Sequence, residues 1–304
     1  MHVVISGSAG LIGGALTASL LADGHRVTRL VRREPQTRAD GSVEARWDPR
    51  ADVNPVDPAV LDGADAVVGL AGAGVGDRRW TAAYKNEIRE SRVRGTGALA
   101  EAIRGCEKPP PVFVSGSAVG YYGETGQAVV DESGRPGQDF LAGVCQEWEA
   151  AADGAKAAGT RVVTTRFGIV VSGAGAGGAM GRLLPLARAG LGGRLGSGRQ
   201  YWSHISLPDT VRALRHLIDN ESVSGPVNMT TPHPATNREI TAAIGKALHR
   251  PTILPVPGLA LRLVLGEFAD GILMSQRVVP GRLLDSGFTF EHPTFEAALG
   301  SAVH

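Results

Sequence analysis

Between a short apolar run, His2–Ser6, and a stretch in which Leu11, Ile12, Ala15, Leu16, Leu20 and Leu21 recur at helical spacing, the chain reads Gly7-Ser8-Ala9-Gly10-Leu11-Ile12-Gly13. No other feature constrains the fold as much. Three glycines at three-residue spacing exceed what an ordinary strand-to-helix turn needs. They let backbone N–H groups and a helix N-terminus meet a pyrophosphate, as in a dinucleotide-binding βαβ unit. Gly7, Ser8, Gly10, Leu11, Ile12 and Gly13 are therefore the candidate phosphate cradle.

The rest of the first half continues the alternation. Arg26–Val31 and Ala64–Leu70 read as strands and Trp80–Ile103 as a long helix. Val112–Val114 reads as a strand ended by Ser115-Gly116-Ser117. A helix then carries Phe140, Val144, Trp148 and Ala152 on one face, and Arg161–Phe167 is the next strand. Strands alternating with helices predict an α/β fold, a doubly wound parallel Rossmann sheet covered on both faces. After about Gly168 the pattern loosens. Gly173–Gly181 reads as a glycine-rich loop, followed by a helix through Leu183, Leu186 and Ala187. Further helices are expected at Pro208–Asp219, Asn237–Leu248, Leu259–Met274 and Pro293–Leu299, with a short strand at Pro226–Met229. The expected division is a cofactor-binding core over 1–168 and a smaller mixed substrate lobe over 169–304. That lobe is docked on the sheet, with room for one of its strands to return to it.

Charge and cysteine usage exclude several function classes. Thirty-one Lys and Arg against 30 Asp and Glu leave a net charge of +1, which gives no general attraction to nucleic acid or an anionic membrane. Two cysteines, Cys106 and Cys145, make no disulfide framework, and no Cys/His cluster has metal-ligand spacing, so no metal is expected. The N-terminus lacks a basic segment followed by a long apolar run, and no stretch of about 18 apolar residues occurs. The expectation is a cytoplasmic monomer or homodimer acting on a small molecule.

The end of the second strand decides between dinucleotides. An acid there favours a free ribose 2′-hydroxyl. Here the strand ends Leu30-Val31-Arg32-Arg33. A guanidinium pairs bidentately with a 2′-phosphate, so Arg32 and Arg33 predict NADP(H). Arg33 alone also fits a solvated loop charge.

These residues carry a family resemblance. The Gly7, Gly10, Gly13 turn resembles that of the extended short-chain dehydrogenase/reductase superfamily, in its nucleotide-sugar epimerase branch, and Leu70-Ala71-Gly72-Ala73 is similar to its segment beside the cofactor. Trp80-Thr81, Ile88-Arg89-Glu90-Ser91-Arg92, Ser117-Ala118-Val119-Gly120-Tyr121-Tyr122-Gly123, Trp148-Glu149, Arg166-Phe167-Gly168, Gly196-Ser197-Gly198-Arg199-Gln200 and Gly225-Pro226-Val227-Asn228 resemble one subgroup. So does the tail from Pro255-Val256-Pro257 to Gly287-Phe288. This is the epimerase family of atypical members related to human family 39U. The resemblance implies NADP(H) as cofactor and adds Leu70, Ala71, Gly72, Ser115 and Arg166 to its candidate contacts.

The superfamily's Tyr-x-x-x-Lys pair is missing. Four positions after Tyr84, Tyr121, Tyr122 and Tyr201 stand Ile88, Thr125, Gly126 and Ile205. The helix through Glu149 puts Leu141 and Cys145 where the pair belongs. Ser117 lies just past the strand where the superfamily keeps its catalytic serine, and its hydroxyl could polarise a carbonyl; a loop cap is the plainer alternative. Tyr121 and Tyr122 are candidates for the missing acid, or walls of the pocket. Arg199, Trp202 and His204 face the substrate in enzymes of similar design, although His204 also fits a hydrogen-bonded structural role. The expected function is an NADP(H)-dependent oxidoreductase or epimerase-like enzyme on a small polar substrate, sugars among the candidates. The rival is a non-catalytic NADP(H)-binding sensor or scaffold.

Overall fold

The computed structural model describes residues 1–173, 175 and 177–303. The first half runs β1 (His2–Ser6), α1 (Leu11–Ala22), β2 (Arg26–Val31), β3 (Val43–Arg46), β4 (Ala66–Gly69), α2 (Ala82–Arg104), β5 (Val112–Ala118), α3 (Phe140–Ala152) and β6 (Arg161–Phe167). Then follow β7 (Ile169–Val171), α4 (Gly178–Arg188), β8 (Tyr201–Trp202), β9 (His204–Ser206), α5 (Leu207–Asp219), β10 (Gly225–Met229), β11 (Ala235–Thr236) and α6 (Asn237–Leu248). The tail holds α7 (Gly258–Leu265), α8 (Phe268–Leu273), α9 (Gly281–Asp285) and α10 (Phe295–Val303).

Seven strands form one parallel sheet in the order β10-β6-β5-β4-β1-β2-β3. The order reverses at β1, so the crevice for a ligand opens above the C-terminal ends of β1 and β4. Because the sheet is buried on both faces, its strands are runs of Val and Ile. One face packs Leu16 and Leu20 of α1 with Val211, Leu214 and Leu217 of α5. The other packs Leu99 and Ile103 of α2 with Phe113 and Ala152. The small lobe gathers α4, α6 and α10 around Met180, Leu184, Ile240 and Phe295, beside the two-stranded pairs β7–β9 and β8–β11.

Two departures from the sequence-based expectation matter. Besides β10, the returning strand the division left room for, which pairs with β6 from Gly225↔Val163 to Met229↔Phe167, α5 of the second half also covers the sheet. The Gly173–Gly181 loop is shorter than expected, since α4 already starts at Gly178; Ala174 and Ala176 lie outside the described residues. No helix among the described residues is long and apolar enough to cross a membrane.

Candidate functional site

Close packing shapes the glycine turn. Gly7 has φ +75°, and a Cβ there would lie 2.7 Å from the Leu70 carbonyl carbon. A Cβ on Gly13 would run into the Gly7 carbonyl, whereas one on Gly10 would meet only the Gly7 oxygen, at 3.3 Å. Gly7 and Gly13 thus bring turn, α1 and the β4 loop together, and Gly10 keeps the outer side open. Where α2, α3, α5 and α6 are capped by the side chains of Thr81, Asp139, Ser206 and Thr236, α1 has Gly10 as N-cap and no side-chain cap. Its first-turn N–H groups keep no internal partner, which suits an anionic group. Leu70 donates its N–H to the Ser6 carbonyl at 3.1 Å, so Leu70, Ala71 and Gly72 leave the sheet directly beside the turn.

At the end of β2 the two arginines separate. Arg33 forks onto Glu44 of β3, with Nη1 and Nη2 each 2.7 Å from a carboxylate oxygen. Those hydrogen bonds hold Glu44 below the usual carboxylate range. Arg32 is exposed and makes no hydrogen bond or ion pair among the described residues. Of the two arginines expected to read a phosphate, Arg33 is spent on the sheet edge and Arg32 alone is left without a partner among the described residues.

Across the sheet, Ser6 pairs with Gly69 and Gly69 with Ser115. Ser117 stands two residues beyond that line, roughly 7 Å further along β5. Ser115 is fully buried. Ser117 belongs to a buried polar chain. Its Oγ donates to Glu149 Oε1 of α3 at 2.7 Å. Arg166 of β6 grips the same carboxylate, Nε to Oε1 and Nη2 to Oε2, both at 2.8 Å. Arg166 Nη1 donates to the Tyr122 hydroxyl at 2.8 Å, and that hydroxyl donates to Asn228 Oδ1 at 2.7 Å. The guanidinium also stacks 3.4 Å from the Tyr121 ring centroid. Burial pushes the Tyr122 phenol up to about 12, despite the Arg166 charge beside it.

Ser117, Tyr121, Tyr122 and Arg166 therefore come together, with altered roles. The Ser117 proton points at Glu149, so the hydroxyl is not placed to polarise a carbonyl. Tyr122 has its proton committed to Asn228 and is 4% exposed, which disqualifies it as a general acid. The Tyr121 hydroxyl has no partner among the described residues. Arg166 spends three of its five N–H groups inside the network and is itself 3% exposed. Glu149 and Asn228 were read only as parts of motifs. The missed signal is an acid on the buried face of α3, beside Cys145, Trp148 and Ala152.

The second-lobe candidates fare worse. Trp202 is core, packed with Met180 and Ile240, its Nε1 donating to the Ile272 carbonyl at 3.1 Å. His204 is fully buried against the Phe295 ring, with ring nitrogens 3.3 Å from the Trp202 carbonyl and the Thr231 hydroxyl. Burial pulls its pKa down to about 4. These two correct the expectation of a substrate wall: both are structural. Arg199 is exposed on its turn, with no side-chain contact toward the crevice. Cys145 is packing, its thiol pushed up to about 11 by burial. A groove of about 440 Å³ between α2, α3 and α8, lined by Trp80, Lys85, Arg89, Phe140 and Glu267, shares no residue with the turn or the Ser117 network. Its cations are already paired, Lys85 with Glu267 and Arg89 with Glu147.

A parallel sheet that reverses at β1, with an uncapped glycine turn at that point and a polar cluster ending β5, defines a Rossmann-fold protein of the dinucleotide-binding kind. The chain belongs to the NAD dependent epimerase/dehydratase family, whose model matches residues 3–230, and residues 256–302 match a domain of unknown function, DUF1731. It is 48% identical over 301 residues to the epimerase family protein Mb2239 of Mycobacterium bovis, covering 99% of this chain and 97% of that one. The crystal structure of human epimerase family protein SDR39U1 with NADPH superposes with a TM-score of 0.87 at 35% identity, over 99% of this chain and 98% of that one. MoeE5 in complex with UDP-glucuronic acid and NAD, 21% identical with a TM-score of 0.77 over 99% and 97% of the two chains, shares the fold.

Proposed function

We propose that the chain is an NADP(H)-dependent oxidoreductase or epimerase-like enzyme for a small polar substrate. The observation that carries this reading is the pairing of an uncapped glycine turn with an unpartnered Arg32 at the end of β2. Together they suit a dinucleotide bearing a 2′-phosphate, and the related human SDR39U1 was crystallised with NADPH. When bound, the nicotinamide supplies a hydride donor or acceptor. The residues of this chain do the remaining work. Backbone N–H groups of Gly10–Gly13 hold the pyrophosphate, and Arg32 holds the 2′-phosphate. The close approach of Gly7 to Leu70 keeps the cradle rigid. Ala71 walls the route to the nicotinamide, and Tyr121, half-buried, meets the substrate there, with Ser117 buried in the same cluster. Glu149, Arg166, Tyr122 and Asn228 hold those two from behind.

The absence of a Tyr-x-x-x-Lys pair and the committed proton of Tyr122 favour the rival, a sensor that binds NADP(H) without turnover. Mass spectrometry of small molecules carried by the purified protein separates the two. A nicotinamide cofactor together with a second ligand, and turnover of that ligand with NADPH or NADP⁺, supports the enzyme. Tight cofactor with no second ligand and no turnover supports the sensor, and no nicotinamide binding at all overturns both.

A further inference from the structure

Arg92 of α2 lays its guanidinium over the Trp148 ring of α3, 5.1 Å from the ring centroid. Its Nη1 donates to the Ala73 and Ile88 carbonyls at 2.9 and 3.0 Å. A Cβ on Gly72 would lie 3.3 Å from the Arg92 Cζ, so glycine there lets the loop leaving β4 run close against the guanidinium. Those two hydrogen bonds fix the plane of the group and use two of its five N–H groups. The Nε–H and both Nη2–H groups have no partner among the described residues, and Arg92 makes no ion pair among them. The side chain is half-buried, and neither of those nitrogens is closed off from solvent. Burial lowers the Arg92 pKa, and the titratable groups acting on it are Cys145 and Tyr84, with no carboxylate among them. A half-buried cation without an acid is costly to hold.

We propose that Arg92 anchors a carboxylate, so that the substrate is an acid, a carboxylate-bearing alcohol or carbonyl compound, and not a neutral sugar. This rests on the reading that a substrate lies beside the nicotinamide at the ends of β4 and β5. Trp148, under the guanidinium, lies on β5, where a Cβ on Gly116 would be 2.8 Å from its ring. In that reading the dinucleotide's own phosphates sit at the glycine turn after β1 and at Arg32 after β2. Arg92 stands on the other side, between the β4 exit and α3, where no phosphate is expected. The free N–H groups also have the right form. Nε and Nη2 are the parallel pair with which Arg166 holds both oxygens of Glu149. In Arg92 the same fork is open, and a carboxylate fits it bidentately. No other side chain offers this from α3, since Phe140–Ala152 contains no lysine or arginine.

The test uses the full chain saturated with NADPH. Cofactor binding is first confirmed by energy transfer from tryptophan, so that failure of the cofactor reading is seen separately; should NADPH not bind, the probes are compared on the free chain. Binding of tetrahydropyran-4-carboxylate and tetrahydropyran-4-carboxamide, alike in shape and different in charge, is measured by ligand-observed NMR. The carboxylate is expected to bind about ten- to a hundredfold tighter. Arg92→Gln keeps a donor for the Ala73 carbonyl and loses charge and fork. It should erase the preference, leaving the carboxamide and NADPH bound as in the parent chain. Arg92→Lys keeps the charge without the fork and should restore part of the preference. A merely structural Arg92 would weaken both probes alike on substitution, and that outcome overturns the proposal. Equal binding of the two probes by the parent chain overturns it and leaves the enzyme reading standing, as does a carboxylate preference that survives Arg92→Gln. Loss of NADPH affinity in Arg92→Gln also overturns it, since the guanidinium would then serve a cofactor phosphate. A protein that binds NADPH but neither probe overturns it together with the placement of substrate at β4 and β5. Should Arg92→Gln fail to fold, Arg92→Lys decides, an undiminished preference overturning the carboxylate fork.

Discussion

Two side chains that look alike in sequence part company at the end of β2. Arg33 is paired with Glu44 and Arg32 is not, so the proposed NADP(H) reading expects a preference for NADPH over NADH to rest on Arg32. A charge-assisted hydrogen bond is worth roughly 1.5–3 kcal/mol, about ten- to a hundredfold in affinity. Arg32→Ala should lose most of a preference of that size, and Arg33→Ala little of it; titration of each variant with both cofactors checks this. His204 makes a second prediction at the same scale. The unfolded chain's histidine titrates near 6.5, and the folded one near 4. Between those values the unfolded state holds the extra proton. The stability contributed by keeping His204 neutral is therefore complete above about pH 6.5 and is lost as pH falls toward 4. The gap corresponds to roughly 3 kcal/mol at its full extent. Melting temperatures measured from pH 7.5 to 4.5 should fall along that window, and less steeply in His204→Gln.

Among the elements, what could be read from sequence depended on periodicity and length. α2, with its Thr81 cap, and the Val-rich strands of the sheet interior stand where their patterns put them. β3 went unread because four residues, Val43-Glu44-Ala45-Arg46, on a half-exposed edge carry no apolar run. The two- and three-residue strands of the small lobe carry no local signal either, since long-range pairing alone makes them strands. At the candidate site, the grouping of Ser117, near the end of β5, with the two tyrosines that follow it was legible in their spacing. The direction of their protons was not, because it depends on Glu149 and Asn228 from elements far along the chain. Trp202 and His204 misled, since buried polar groups satisfied by backbone carbonyls look in sequence like ligand contacts. The glycine turn yields an element-scale prediction. Gly13→Ala forces a Cβ against the Gly7 carbonyl, and backbone has nowhere to go, so it should cost about 1–3 kcal/mol of stability by denaturant titration. Gly10→Val places its bulk outward. It should cost about 1 kcal/mol or less, fold normally, and lose the rise in melting temperature that NADPH gives the parent chain. A Gly10→Val protein still stabilised by NADPH would mean that the phosphates pass elsewhere.

At the scale of the whole molecule, the two halves of the sequence are not two halves of the structure. β10 extends the sheet beyond β6, and α5 supplies Val211, Ala213, Leu214 and Leu217 to the same face that α1 covers. Of the 20 buried residues of that core among those described, ten come from Val211 onward. The Ser117 network is divided in the same way, because Asn228 and the Val279 carbonyl that orients it lie in the second half. Further ties hold the loop after β4 to the small lobe, from Arg182 to Asp77 and from Arg79 to the Leu263 carbonyl. A fragment ending at residue 168 would leave β6 as an uncovered apolar edge and strip half of one core face, an edge prone to aggregation. Residues 1–168 expressed alone should therefore show no cooperative thermal transition by circular dichroism and should aggregate in sedimentation velocity. The full chain should melt in a single transition whose calorimetric and van't Hoff enthalpies agree. A soluble fragment with its own sharp transition would mean that the sheet closes without β10, and the glycine turn could then be studied apart from the lobe that completes the Ser117 network.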